Sequence, residues 1–225
     1  FTMTDLRNTM NKFKGLRVTV LGDLILDEYI DCDPLGMSQE DPTLVVTPIQ
    51  SEKFLGGAAI VAAHARNLGA DVRYLTVVGK DTSAKFACDK LDEYRVTTEI
   101  FEDESRPTSL KQRYRACGKT LLRVSHLRQH DINQQLRREM LAAIKAVLPK
   151  SDLVIFSDFN YGCLPQSLVE EVIDTCQQLN IMMVADSQSS SQLGDVSRFK
   201  DMMLMTPTER EARLAVHDFD SGLVV

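Results

Sequence analysis

Leu153-Val154-Ile155-Phe156 and Ile181-Met182-Met183-Val184-Ala185 decide the fold. Each run is wholly apolar and too short for a helix, which is the pattern of a strand buried on both faces. Between them, Pro165 to Leu179 reads as a helix with proline near its first turn, where no backbone N–H is needed. Met202 to Met205 is another apolar run, and a further helix begins after Pro207. Apolar strands alternating with helices form a parallel sheet covered on both sides. The expected class is therefore α/β, with a doubly wound, mostly parallel sheet.

Upstream, Arg17 to Leu21 reads as a buried strand ending at Gly22, after a frayed helical lead over residues 1–15. Gly56 to Leu68 is a helix closed by Gly69, and Val72 to Val78 is a strand. Ser83 to Tyr94 is an amphipathic helix with Phe86, Ala87, Leu91 and Tyr94 on one side. A long helix runs from about Ile132 to Leu148 and stops at Pro149. Thr43 to Ile49 reads as a strand. Thr108–Tyr114 and Thr120–Ser125 read as a hairpin turning at Cys117-Gly118-Lys119. These β-rich pieces, at about 30–50 and 105–125, break the alternation and suggest a small second sheet projecting from the main body. Ser187 to Gln192 is a polar loop, and Asp218 to Val225 resembles an unfinished helix.

Composition narrows the function. The 225 residues suffice for one large domain, and 26% charged content is that of a globular chain. A net charge of −6 gives no electrostatic footprint for nucleic acid. No apolar run approaches the length of a membrane helix, and Phe1-Thr2-Met3-Thr4-Asp5 lacks the pattern of a signal peptide. Five scattered cysteines with no C-x-x-C pair fit reduced thiols in a cytoplasm. His126 and His130 stand four apart, but their polar surroundings read as a connection, so no metal site is expected there.

In an open parallel sheet, ligands sit beyond the carboxyl ends of the strands. Asp23 and Asp27 follow the first strand, and Ser157, Asp158 and Asn160 follow the one at 153. Asp186 follows the strand at 181, and Thr206, Thr208, Glu209 and Glu211 follow the last. Turn and cap preferences account for each singly and less well for the repetition. Lys111, Arg113 and Arg115 share one strand face by period 2, with Arg123 on the partner strand. Such a row grips a phosphate, or else guards a solvated outer strand. Gly56-Gly57 before an alanine-rich helix is a ligand floor at a helix start, or a tight turn packed against a neighbour.

The ordered set of motifs resembles the PfkB, or ribokinase-like, family of sugar kinases. Within it, the heptose 7-phosphate kinase domain of ADP-heptose biosynthesis is the nearest likeness. The motifs are Gly22-Asp23-Leu24-Ile25-Leu26-Asp27-Glu28-Tyr29, Ser38 to Pro42 and Gly56-Gly57-Ala58-Ala59. They continue with Thr108 to Arg113, Leu121-Leu122-Arg123, Ser157 to Gly162 and Thr206 to Glu211, from about residue 17 to the C-terminus.

The resemblance implies a ribokinase-like domain with a β lid over the sugar, residues 1–225 being its N-terminal two-thirds. It implies transfer of the ATP γ-phosphoryl group to a sugar or sugar-phosphate hydroxyl, with ATP and Mg²⁺ as cofactors. The implied partners are a small sugar ligand and a second copy paired through the lid, with no nucleic acid and no membrane. Asp27 would bind sugar hydroxyls, with Asp23 assisting it or capping the strand end, over Gly56 and Gly57. Lys111, Arg113 and Arg123 would hold a phosphate already on the substrate. Asp158, Asp186 and Glu211 fall in the nucleotide and Mg²⁺ region.

The family's catalytic base lies in a Gly-Ala-Gly-Asp motif that does not occur in these residues. The catalytic residue is therefore unassigned, and the chain by itself is expected to be inactive. Ile60, Tyr161 and Thr208 also stand where the family usually carries Asn, Lys and Asn. A binding or regulatory protein on the same fold, and a kinase for another sugar or a nucleoside, are the rival readings.

Overall fold

The computed structural model describes residues 3–188 and 195–217. After an N-terminal helix α1 (Met3–Asn11), the main body runs β1 (Arg17–Gly22), then the two long strands β2 (Leu24–Met37) and β3 (Leu44–Gly56). Next come α2 (Gly57–Asn67), β4 (Asp71–Val78), α3 (Thr82–Glu93), β5 (Thr97–Glu102), and the hairpin β6 (Ser109–Ala116) and β7 (Lys119–His126). The chain returns through α4 (Gln134–Val147), β8 (Leu153–Asp158), α5 (Gln166–Gln178), β9 (Met182–Ser187), β10 (Leu204–Met205) and α6 (Glu209–Ala215).

Six strands form one sheet in the order β10-β9-β8-β1-β4-β5, every pair parallel. Successive side chains of a strand point to opposite faces, so β1 feeds two cores. Val18 and Val20 pack with α2 and α3, while Leu21 packs with α4 and α5. The doubly wound class expected from residues 153–205 is the observed one. α4 buries Leu136, Met140, Leu141, Ile144 and Val147 at helical spacing, about 1.5–3 kcal/mol for each large side chain. Asn133 caps it by accepting the Leu136 N–H at 2.9 Å. A 3₁₀ turn at Leu148–Lys150 ends it around Pro149.

The second sheet has the order β3-β2-β6-β7. β2 pairs antiparallel with β3 and parallel with β6, and β6 pairs antiparallel with β7. The 6–7 hairpin turns at Cys117 and Gly118, both at positive φ, as the sequence suggests. The first lid segment is longer than the expected 30–50, because β2 and β3 root in the main body through buried Leu24, Ile25, Leu26 and Leu55.

Two further expectations change, and one strand is new. Strand β5 had no reading, since its polar TTEIFE sequence shows no apolar run. β10 has two residues instead of four. Tyr94, expected on the core side of α3, is exposed and serves as the residue that closes the helix. Most of the Ser187–Gln192 loop and the Asp218–Val225 segment lie outside the described residues.

Candidate functional site

The second sheet rises from the carboxyl end of β1, and one of its faces meets the loop that follows β8, where Lys111 faces Phe159 and Tyr161. β2 leaves the core with period-2 burial: Leu26, Glu28 and Ile30 are buried, while Asp27 and Tyr29 are half-buried on the other face. Register carries that face across the sheet. Asp27 lies opposite Lys111 and Phe54, Tyr29 opposite Arg113 and Glu52, and Arg113 opposite Arg123.

Asp27 and Arg113 form an ion pair, each side chain about a quarter exposed. Arg113's pKa is raised, first by its hydrogen bond to Asp27. Arg113 and Arg115 flank the Tyr29 ring at 5.3 and 5.4 Å, and Tyr29 meets Phe54 edge-on at 5.8 Å. Lys111 is set apart from these arginines. Its Nζ lies 5.4 Å from the Phe159 ring centre and 5.3 Å from that of Tyr161, an arrangement that attracts a cation to aromatic faces. Arg123 is exposed on the partner strand.

Gly56 and Gly57 form the tight turn packed against a neighbour that the sequence left open as one of two readings. A Cβ on Gly56 would overlap the Asp27 carboxylate, so the missing side chain makes room for the acid. Gly57 sits at φ +55 and would press a Cβ to 2.5 Å from the Asp23 carbonyl oxygen. The pair is thus a tight crossing that seats Asp27, with helix α2 starting behind it. Asp23's carbonyl accepts the Ala58 N–H at 2.9 Å at that start. Ile60 packs toward the apolar core.

Asp23 does not line the open face. It is buried, and its carboxylate accepts backbone N–H groups from Phe159 (2.7 Å), Tyr161 (3.4 Å) and Cys163 (3.3 Å). Burial, then the nearby Asp158 charge, pushes its pKa up to about 7. Asp158 is likewise buried and raised, chiefly by desolvation, and is faced by Asn160 N–H, Ser187 Oγ and the Arg198 guanidinium. Asp186 accepts from Thr206 Oγ1 at 2.9 Å, which ties β9 to the segment after β10. Glu211 closes a capping box with Thr208, accepting its N–H and hydroxyl at 2.8 Å each.

The sequence-derived residues therefore separate into two groups. Asp27, Lys111, Arg113 and Arg123 share the lid face, while Asp158, Asp186 and Glu211 lie at the ends of β8, β9 and β10. Asp23 sits beneath the loop after β8, between the two groups. Among the described residues, no group of three or more His, Cys, Asp or Glu could hold a metal. His126 bonds Gln112 and His130 bonds Ser105, so the two do not converge.

Sequence reasoning missed Arg106. Its guanidinium is buried and donates to Asp103 Oδ2 (2.7 Å), the Tyr161 carbonyl (2.8 Å) and the His130 carbonyl (2.7 Å). It also missed Glu28, which accepts from Ser51 and Gln112 on the lid's other face. Alternation along β2 would have placed Glu28 opposite Asp27. Nothing local marks the whole role of Arg106: Asp103 is three residues away, but the two carbonyls it holds lie 24 and 55 residues away.

Comparison with known proteins gives the family and the fold. Residues 16–221 match the pfkB family carbohydrate kinase profile. The chain is similar to the bifunctional protein HldE of Campylobacter jejuni strain RM1221, 34% identical over 197 residues that cover 87% of this chain and 40% of that protein. The bifunctional protein HldE of Desulfatibacillum aliphaticivorans is 30% identical over 204 residues, 90% of this chain and 41% of that one. The chain thus spans about two-fifths of the length of these curated relatives. Among solved structures, phosphofructokinase-2 from Escherichia coli in complex with substrates and products superposes with a TM-score of 0.68 at 14% identity, covering 90% of this chain and 63% of that one. A carbohydrate kinase from Agrobacterium tumefaciens gives 0.67 at 16% identity, covering 89% and 63%. The chain belongs to the pfkB family of carbohydrate kinases, with the ribokinase-like α/β fold.

Proposed function

We propose that this member of the pfkB family forms the sugar-binding part of an ATP-dependent kinase acting on a phosphorylated sugar, heptose 7-phosphate being the leading candidate. One observation carries the reading: a carboxylate, Asp27, and an ammonium, Lys111, lie directly opposite each other on the lid face that meets the loop after β8. Asp27 accepts hydrogen bonds from sugar hydroxyls. Arg113 orients that carboxylate, so Lys111, which faces aromatic rings instead of an acid, is the cation offered to the substrate phosphate. Arg123 lies further out on the same face.

ATP and Mg²⁺ belong at the other group. Mg²⁺ keeps most of its water and phosphate ligands and needs only one or two carboxylates. The donor chemistry fits: Asp186 is the more accessible carboxylate there, while Asp158 and Glu211 are buried and held by Ser187 and Thr208. When bound, Mg²⁺ would neutralise phosphate charge during in-line transfer. What these residues themselves do is bind the sugar, orient its hydroxyl and exclude water under the lid.

Five free thiols suit a reducing cytoplasm. The lid exposes Leu35, Met37, Ile49 and Leu122 at 56–66%, and a second copy covering them makes the working unit a homodimer.

Calorimetry tests the reading. Heptose 7-phosphate should bind, while ribose and nucleosides should bind weakly. Lys111→Glu should weaken the phosphorylated ligand about 10- to 100-fold, the size of a lost charge-assisted bond, with little effect on an unphosphorylated sugar. Equal weakening of both ligands would remove the phosphate role. Tight binding without turnover by the full-length protein would favour the non-catalytic sugar-phosphate binder.

A further inference from the structure

We infer that Asp23 is a positioning residue: its buried carboxylate gathers the backbone of the loop after β8 and so sets the two aromatic rings that hold Lys111 in place. The chain of contacts begins with Asp23 itself, whose backbone is fixed on every side. The preceding carbonyl, of Gly22, accepts from Thr76 Oγ1 (2.8 Å), the Tyr74 hydroxyl (3.3 Å) and Cys163 Sγ (3.6 Å). Asp23 N–H donates to the Ser157 carbonyl at 3.3 Å, and its own carbonyl accepts from Ala58. A carboxylate mounted this way has no freedom to follow a ligand.

Its oxygens point at the 159–163 loop and not at the open face. Oδ2 accepts the Phe159 and Tyr161 N–H groups and Oδ1 accepts that of Cys163. Three alternate donors converging on one carboxylate fold the loop into a single turn. The opposite side of the turn is held by Arg106, which donates to the Tyr161 carbonyl, and by Ile132 N–H, which donates to the Gly162 carbonyl at 3.0 Å. Gly162 takes φ +82, and a Cβ there would overlap the His130 carbonyl. The loop's buried N–H and C=O groups thus have partners from three separate segments, so its shape is over-determined.

That shape has one consequence at the lid. Phe159 and Tyr161, the residues whose N–H groups Asp23 holds through Oδ2, are the residues whose rings face Lys111 Nζ. The two rings lie 6.4 Å apart. An acid in the floor of the main body therefore fixes a cation on the lid, through a loop and without touching it.

The test reads Lys111 directly, without any ligand. In the 225-residue chain labelled with ¹³C-lysine, Lys111 is assigned by its disappearance in Lys111→Arg. Its ε-methylene protons should be shifted upfield by the Phe159 and Tyr161 ring currents. In Asp23→Asn, which keeps one oxygen acceptor and places an amide donor against the loop N–H groups, that shift should be lost. The Phe159, Tyr161 and Cys163 amides should then exchange about tenfold or more faster. Thr76→Val, which removes a bond onto the Gly22 carbonyl and leaves the loop's own partners intact, should lower stability while keeping the Lys111 signal in place. An unshifted Lys111 in the wild type, an unchanged Lys111 in folded Asp23→Asn, or equal movement in both variants would overturn the inference.

If Asp23→Asn does not fold, hydrogen exchange in the wild type decides. The three loop amides should be protected like β1 and β8, and exchange at exposed-loop rates would refute the role. Only the use of Lys111 to hold phosphate rests on the proposed function. A moved Lys111 with undiminished sugar-phosphate binding would defeat that reading and leave the positioning role standing.

Discussion

Replacing Arg106 by methionine should cost this chain about 3–5 kcal/mol, the range for breaking a buried ion pair by removing one partner. The structure shows where the cost arises. The Arg106 and Asp103 side chains are only 6% and 4% exposed. Methionine fills much of the volume but donates nothing, leaving the Asp103 carboxylate with only the Ser105 N–H and hydroxyl, at 3.0 and 2.6 Å. The Tyr161 and His130 carbonyls lose charged donors at the same time. Asp103's pKa lies below the usual carboxylate value: burial raises it, and the bonds from Ser105 and Arg106 outweigh burial. The abandoned acid would thus lose part of what keeps it ionised.

A domain has about 5–15 kcal/mol in total, so this loss is a large share of it. Urea unfolding followed by far-UV circular dichroism measures the change. The Asp103→Asn/Arg106→Met double variant removes the stranded charge and should recover at least about 1 kcal/mol relative to the sum of the single losses, as coupled neighbours do. A single-variant loss below about 1 kcal/mol, or strict additivity in the double variant, would refute a buried, load-sharing clamp.

Gly57→Ala places a Cβ 2.5 Å from the Asp23 carbonyl oxygen at φ +55, which should lower stability by about 1–2 kcal/mol from the backbone conformation alone; an unchanged thermal midpoint would contradict the close crossing. Asp23 titrates at about 7 in the folded chain, above the ordinary 3.8, so the folded state holds the extra proton between those values. Its contribution is complete below about pH 4 and is lost as pH rises through about 7. The urea midpoint should therefore be higher at pH 5 than at pH 8, and Asp23→Asn should reduce that difference; equal midpoints in the wild type would overturn the assignment. Ile49→Lys on the lid should convert a dimer to a monomer in light scattering, whereas Leu204→Lys at the β10 edge should not. The opposite result would locate association at the exposed edge strand.

Local pattern carried the main body. Leu153–Phe156 and Ile181–Ala185 announce buried parallel strands because apolar residues on both faces have no other stable place in a chain of this kind. Thr108–Ser125 announces a hairpin because its turn residues accept positive φ. The polar β5 stayed hidden because its strand state comes from pairing with β4, not from its own sequence. The lid face of Asp27, Lys111 and Arg113 was half legible: period 2 aligned Lys111 with Arg113, but nothing local put Asp27 opposite Lys111.

Side-chain roles depended on distance in space. The family resemblance gave Asp27 to a sugar site and left Asp23, four residues before it, to assist or to cap the strand end. The tertiary structure turned one toward the lid face and buried the other beneath the 159–163 loop, whose donors lie 136 to 140 residues away. It paired Arg113 with Asp27 and left Lys111 against Phe159 and Tyr161. Periodicity follows from backbone geometry and can be read along the chain. The partner of a charge is whichever group the packed fold brings within hydrogen-bond reach, and only the packed fold decides that.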